Sequence, residues 1–177
     1  NVITTDSIYN KKHNYRFKKI ELRNGVSIFR LKSPKLDKNS FFTRTLKLVI
    51  SSIQLFIKLF FSVRKNDQVL IVTNPAFLIL LMPILKLLKK VKYKVLVHDI
   101  FPENLAAIGK IKKNNLTYIF LKKIFDFAYC NAETCIAIGR DMKSVLEDKN
   151  VVPSRIVVIP NWSETNIVKP IDKLETN

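Results

Sequence analysis

Short runs of apolar and β-branched residues alternate along this chain with longer stretches whose apolar positions recur every three or four residues. The first run, Val2–Thr5 (VITT), reads as a strand. Asp6 to Gly25 follows as a polar loop carrying Lys11, Lys12, His13, Arg16, Lys18, Lys19 and Arg23. Val26–Leu31 (VSIFRL) alternates well enough for a second strand, which Ser33-Pro34 ends. The longest apolar segment comes next, Ser40–Val63. Phe42, Leu46, Val49, Ile50, Ile53, Phe56, Ile57 and Phe60 mark the expected apolar face of one helix there. A bilayer span needs roughly 20 apolar residues free of charge near the centre. Lys47 and Lys58 leave ten uncharged residues between them. The helix is therefore expected to pack on a sheet or to lie in a membrane interface.

Gln68–Thr73 (QVLIVT) is a continuous apolar run, the pattern of a strand buried on both faces. Asn74-Pro75 breaks it. A helix over Ala76–Lys90 follows, with Lys86, Lys89 and Lys90 placed to suit its dipole. Pro83 inside it predicts a kink or two short helices. Lys94–His98 is a strand, and Asp99–Gly109 (DIFPENLAAIG) a loop with a short helix. Leu116–Tyr129 is helical, Thr134–Ile138 a strand, Arg140–Asp148 a helix and Arg155–Ile159 the last strand. Pro160-Asn161-Trp162 begins the exit from the domain.

Strands alternating with helices predict an α/β domain built on a parallel sheet. Right-handed crossovers then place helices on both faces. Polar residues at the carboxyl ends of such strands are where ligands gather. Here those ends carry Asn74-Pro75, His98-Asp99, Gly139-Arg140 and Asn161-Trp162.

Charge and composition narrow the chemistry. The net charge of +17 attracts polyanions, whether nucleic acid, anionic lipid or phosphorylated substrate. Many of the lysines read equally well as ordinary solvated charge. Cys130 and Cys135 are the only cysteines. No His cluster or CxxC pair accompanies them, so no metal site is expected. Cys130 should end a helix and Cys135 should lie in a buried strand, in a reduced, cytoplasmic setting. With three glycines, no GxGxxG or P-loop pattern can be assembled. No cofactor is expected. His98, Asp99 and Glu103 bring an imidazole and two carboxylates to one strand end. Such groups can hydrogen-bond sugar hydroxyls or place a base beside an acceptor. Equally, Asp99 and Glu103 read as caps for the next helix.

The run VLVHDIFPENLAAIGKIKK, the helix ending FDFAYCNAE and the segment TCIAIGRDMKSVLEDKNVVPSRIVVIPNW together resemble the family 4 glycosyltransferases that build surface polysaccharides. The resemblance covers roughly residues 68 to 165, with Gly139 where many members have Ser. It implies a retaining, metal-independent enzyme of two Rossmann-like domains, the GT-B fold, of which this chain is most of the first. On that reading residues 1–165 form the acceptor-side domain, and 166–177 a linker toward a second domain that binds the nucleotide-sugar. The first strand and its glycine loop would precede Asn1, because the chain opens like a strand entered without its predecessor. His98 is then the candidate catalytic group near the transferred sugar. Asn74, Asp99, Glu103 and Asn161 are candidate substrate-binding residues, with Asp99 and Glu103 ordering the acceptor loop. The acceptor implied is a saccharide, usually carried on a polyprenyl diphosphate at the cytoplasmic leaflet.

Lys11, Lys12, Arg16, Phe17, Lys18 and Lys19 mix basic and aromatic side chains, as a surface docking on an anionic membrane requires. A peripheral position on the inner face of the cell membrane is expected. Nucleic-acid binding is the rival from the charge, but no motif of a nucleic-acid fold accompanies it. A non-catalytic acceptor-binding half of a split transferase is a further alternative. A missing first strand would leave a sheet edge on which a second copy can pair.

Overall fold

Lys92–Val97 sits at the centre of the molecule because every second residue is apolar and large. Tyr93, Val95 and Val97 are wholly buried, while Lys92, Lys94 and Leu96 point the other way. The computed structural model describes residues 1–6, 17–34, 36 and 40–161. Lys11, Lys12, Arg16 and the linker over 166–177 lie outside them.

The strands are β1 (Val2–Thr5), β2 (Ile20–Arg23), β3 (Val26–Leu31), β4 (Gln68–Val72), β5 (Lys92–Val97), β6 (Thr134–Ala137) and β7 (Ile156–Val158). The helices are α1 (Phe41–Ser62), α2 (Leu78–Lys89), α3 (Glu103–Ala107), α4 (Leu116–Cys130) and α5 (Arg140–Asp148). Two sheets form, a three-stranded one ordered β1-β3-β2 and a four-stranded one ordered β4-β5-β6-β7. The second is parallel throughout, and β1 is parallel to β3. The α/β class and parallel sheet expected of a Rossmann-like domain are present.

One core unites Leu55 of α1, Met82 and Leu85 of α2, Phe125 and Tyr129 of α4 and Leu146 of α5 with the buried positions of the four-stranded sheet. These helices therefore form a single layer on one face. The described residues put no helix core on the opposite face, where Leu70, Val72 and Val157 are 61%, 37% and 44% exposed. This corrects the reading of Gln68–Thr73 as buried on both sides. Only Val69 and Ile71 of β4 are buried, the alternation of a half-covered strand.

Three further expectations change. The polar loop is interrupted by β2, which pairs antiparallel with β3. The turn is Asn24-Gly25, with φ 49° and 78°, the left-handed pair that a two-residue hairpin needs. Secondly, α2 runs unbroken through Pro83. Met82 and Leu85 beside it are 0% exposed, and their burial holds the helix despite the missing N–H.

Thirdly, the core-facing side of α1 is rotated from the one predicted. Ser51, Ser52 and Leu55 are buried, with Phe56, Leu59 and Phe60 packed beside them. Phe42, Leu46, Ile53 and Ile57 are exposed instead. Periodicity pointed to the side with the most apolar residues, but the sheet is met by the neighbouring side, where the serines lie. Small serines let it approach the sheet, and Ser52 Oγ satisfies itself on Leu48 O at 2.8 Å. By length and composition α1 could also cross a membrane.

Candidate functional site

The carboxyl ends of β4 and β5 are tied together by one hydroxyl. Thr73 follows β4 and is buried, and its Oγ accepts from the backbone N–H of His98 at 3.0 Å and of Asp99 at 3.1 Å. Tyr129 from α4 donates its hydroxyl to Asp99 O at 3.4 Å. The backbone of His98-Asp99 is thus fixed while both side chains stay exposed. Asn74, also exposed, ends the neighbouring strand. The Asn74-Pro75 and Phe101-Pro102 peptides are cis.

Beyond Asp99 the chain is anchored inward. Ile100 is buried and accepts from Asn104 N at 2.9 Å, and the Phe101 ring stacks on Phe125 at 5.8 Å. The strongest anchor is Lys149, at the end of α5 and 0% exposed. Its ammonium donates to Phe101 O at 3.1 Å, to Glu103 at 2.7 Å and to Asp126 at 2.7 Å. The Tyr129 ring lies 5.5 Å away. Lys122 adds a second cation, 2.6 Å from Asp126 and 3.5 Å from Glu103. Partial burial disfavours its charge, but the Asp126 hydrogen bond and the two carboxylates outweigh that and raise its pKa. A buried ammonium is tolerable only when several acceptors replace water, and here three do. Burial, then the Cys135 thiol and the Glu103 and Asp99 carboxylates, pushes the Tyr129 hydroxyl far above its ordinary range.

Both oxygens of Glu103 therefore face lysines rather than open solvent. Its work in this arrangement is to hold the loop that carries His98 and Asp99. Asn161 is exposed beyond β7, two strands across from β5. At about 4.8 Å per strand that separates it laterally by about 10 Å. The structure brings Asn74, His98 and Asp99 together and leaves Asn161 on the far side of β6. Near Asn161, Arg140, Lys143, Ser144 and Pro160 line a depression of about 570 Å³.

Phe17, Lys18 and Lys19 are exposed at the carboxyl end of β3. Arg30 organises them: its guanidinium lies 4.9 Å from the Phe17 ring centre and donates to Lys18 O at 3.2 Å. Among the described residues no cluster of three or more His, Cys, Asp or Glu is placed to hold a metal.

Over 142 residues, 80% of the chain, the sequence is 36% identical to a Pseudomonas aeruginosa protein named probable glycosyltransferase WbjE. The chain spans 36% of that protein's length, about a third. No family model matches it.

Sequence reasoning missed Thr73 as the tie between strand ends, and it missed Lys149, Lys122 and Asp126. Thr73 closes the run QVLIVT directly before Asn74-Pro75, but its hydroxyl gave no local sign of its partners. Lys149 follows an amphipathic helix and reads as a solvated charge. Only its contacts with segments more than twenty residues away reveal it.

Proposed function

We propose that these residues form the acceptor-side domain of a retaining glycosyltransferase of the two-domain GT-B kind, similar to family 4. The longer polypeptide would move a hexose from a nucleotide-sugar to a lipid-linked saccharide during surface polysaccharide assembly. The donor would be held by a second domain, and the chemistry needs no metal or cofactor from this one. The observation that carries the reading is the exposed His98-Asp99 pair on a backbone tied by Thr73, within a chain related to a named transferase.

In this reading His98 sits beside the transferred sugar and hydrogen-bonds a hydroxyl there, while Asn74 and Asp99 hold the acceptor. Glu103 acts on them through the Lys149 anchor, and Asn161 lies toward the second domain. Phe17, Lys18 and Lys19, with Lys11, Lys12 and Arg16 in the same stretch of sequence, meet the phosphates of an anionic inner leaflet. The exposed apolar strip of α1, Phe42, Leu46, Ile53 and Ile57, suits the same surface. Basic side chains near such a surface contribute about 1 kcal/mol each, enough in number for reversible docking.

The test uses the full-length polypeptide, a panel of labelled nucleotide-sugars and a bacterial lipid extract as acceptor. Wild type should transfer label, and His98→Ala should lower kcat/KM by about 100-fold with an unchanged unfolding midpoint. Transfer by His98→Ala at the wild-type rate sinks the role given to His98. Failure of every nucleotide-sugar with wild type sinks the transferase reading.

A further inference from the structure

Between Glu103 and Asp126 the chain holds five lysines and no acidic residue. Lys122 is turned inward, onto both of those carboxylates. Lys110, Lys112 and Lys113 lie in the connection from α3 to α4 and are exposed. Among the described residues none of these three has an acidic partner.

The connection has a fixed course. Gly109, at φ 71°, takes the left-handed turn that ends α3, where a side chain would be strained. Its N–H donates to Ala106 O at 3.0 Å, and that of Lys110 donates to Leu105 O at 2.9 Å. At the other end Asn115 caps α4. Its side chain accepts from Thr117 N at 2.8 Å, and its own N–H donates to Lys112 O at 3.0 Å.

Apolar side chains border the lysines along the chain. Ile108 before them is 66% exposed, and Leu116 and Phe120 after them are 82% and 63% exposed. Tyr118, Phe125 and Tyr129 take the buried side of α4, so Leu116 and Phe120 are left facing out. Single exposed apolar residues are ordinary on a protein surface, but these flank unpaired cations.

α3 continues the loop that carries His98 and Asp99, and Lys122 in the second turn of α4 reaches Glu103 at 3.5 Å. α4 begins at the carboxyl end of the sheet, because it leads from β5 back to the start of parallel β6. The three lysines therefore stand at the rim of the candidate site.

Unpaired cations with an apolar border suit an anion that is carried on a lipid. A nucleotide-sugar is also anionic, but it offers nothing for Leu116 and Phe120. Resting on the transferase reading above, we infer that Lys110, Lys112 and Lys113 hold the diphosphate of the lipid-linked acceptor. Ile108, Leu116 and Phe120 meet the part of the lipid chain next to it. α3 lies between these residues and His98, and the saccharide spans that gap.

Vesicle flotation of the full-length polypeptide tests this without relying on sugar transfer. One set of phosphatidylcholine vesicles carries a polyprenyl diphosphate, and the other carries phosphatidylglycerol to the same surface charge. A lysine at an anionic lipid surface is worth about fivefold in binding. Lys110→Gln/Lys112→Gln/Lys113→Gln should thus weaken binding to the diphosphate vesicles about 100-fold. The loss on phosphatidylglycerol, whose charge is diffuse and screened, should stay below about tenfold. Lys65→Gln/Lys90→Gln/Lys92→Gln removes equal charge at the amino end of the sheet and should cost less than about threefold on either set. Leu116→Ser/Phe120→Ser should weaken binding to the diphosphate vesicles about tenfold and leave affinity for free inorganic pyrophosphate unchanged. Equal losses on the two vesicle sets mean that the lysines read surface charge alone and overturn the inference. A wild type without preference for the diphosphate, or an equal loss in the amino-end triple, overturns it too. Unchanged binding by the serine variant assigns the lysines to a free phosphate compound and removes the lipid. Lysine-dependent preference in a polypeptide that transfers no sugar keeps the diphosphate site and sinks only the transferase reading. Transfer by the loop triple at the wild-type KM for the lipid-linked acceptor sinks the site and keeps the transferase.

Discussion

Among the described residues before Ser51 none is fully buried, whereas Tyr93, Val95, Val97, Cys135 and Ala137 all stand at 0% exposure. In the three-stranded sheet Ile3 and Leu31 pack, half-buried, against the margin of the core, and the other contacts lie at its surface. Arg30 pairs with Glu21 at 2.6 Å and covers Phe17, and Lys58 of α1 lies 4.6 Å from the Phe29 ring. Contacts of that type contribute at most about 1 kcal/mol each. The four-stranded sheet rests on a shared apolar core, where a single large side chain contributes about 1.5–3 kcal/mol. The first sheet is thus a satellite leaning on α1, and the second carries the stability and the candidate site.

The largest test of that contrast is Lys149→Ala. It leaves Glu103 and Asp126 with only the half-exposed Lys122, and breaking a buried pair this way costs about 3–5 kcal/mol. Urea unfolding followed by circular dichroism should show that loss, with the satellite sheet melting in the same transition. A loss below about 1 kcal/mol would place the cluster among ordinary surface pairs.

The next effect is alkaline. Burial, reinforced by Cys130, pushes the Cys135 thiol up to about 12 from 9.0. Burial also raises Tyr93 beyond its ordinary value, and its hydroxyl donates to Ala128 O at 2.6 Å. These groups keep their protons in the folded state after the unfolded chain has lost them. Their contribution is therefore intact below about pH 9 and declines above it. One such group gives a slope of about 1.4 kcal/mol per pH unit. Between pH 9 and 10, before the tyrosines add theirs, Cys135→Ala should flatten the slope of stability against pH. An unchanged slope would show that the thiol ionises freely in the folded state.

The smallest effect belongs to the satellite. Glu21→Gln should cost less than about 1 kcal/mol and lose most of that in high salt. A salt-independent cost of 2 kcal/mol or more by the scale of core substitutions would erase the distinction between the two sheets.

Strand and helix positions were legible wherever local pattern decides them. Arg140–Asp148 was read to the residue, and β1 and β3 with it. The hairpin at Asn24-Gly25 was legible too, since Asn-Gly is a strong turn signal, but the surrounding charge drew the reading toward a loop. The facing of α1 was not legible, because its most apolar side, with Phe42, Leu46, Ile53 and Ile57, is not the side that the sheet covers. In the site, His98, Asp99 and Asn74 could be found from their place after apolar strands. Thr73 and Lys149 could not, because their roles depend on partners that are distant in sequence.

Lys149 reaches Phe101 and Glu103 across 48 and 46 residues of chain. During synthesis the loop bearing His98 and Asp99 emerges well before the side chain that anchors it. Until α5 has left the ribosome, Glu103 and Asp126 face each other with only Lys122 between them. The candidate site thus takes its shape late, and a nascent chain stalled before residue 149 would present these residues without the support that orders them.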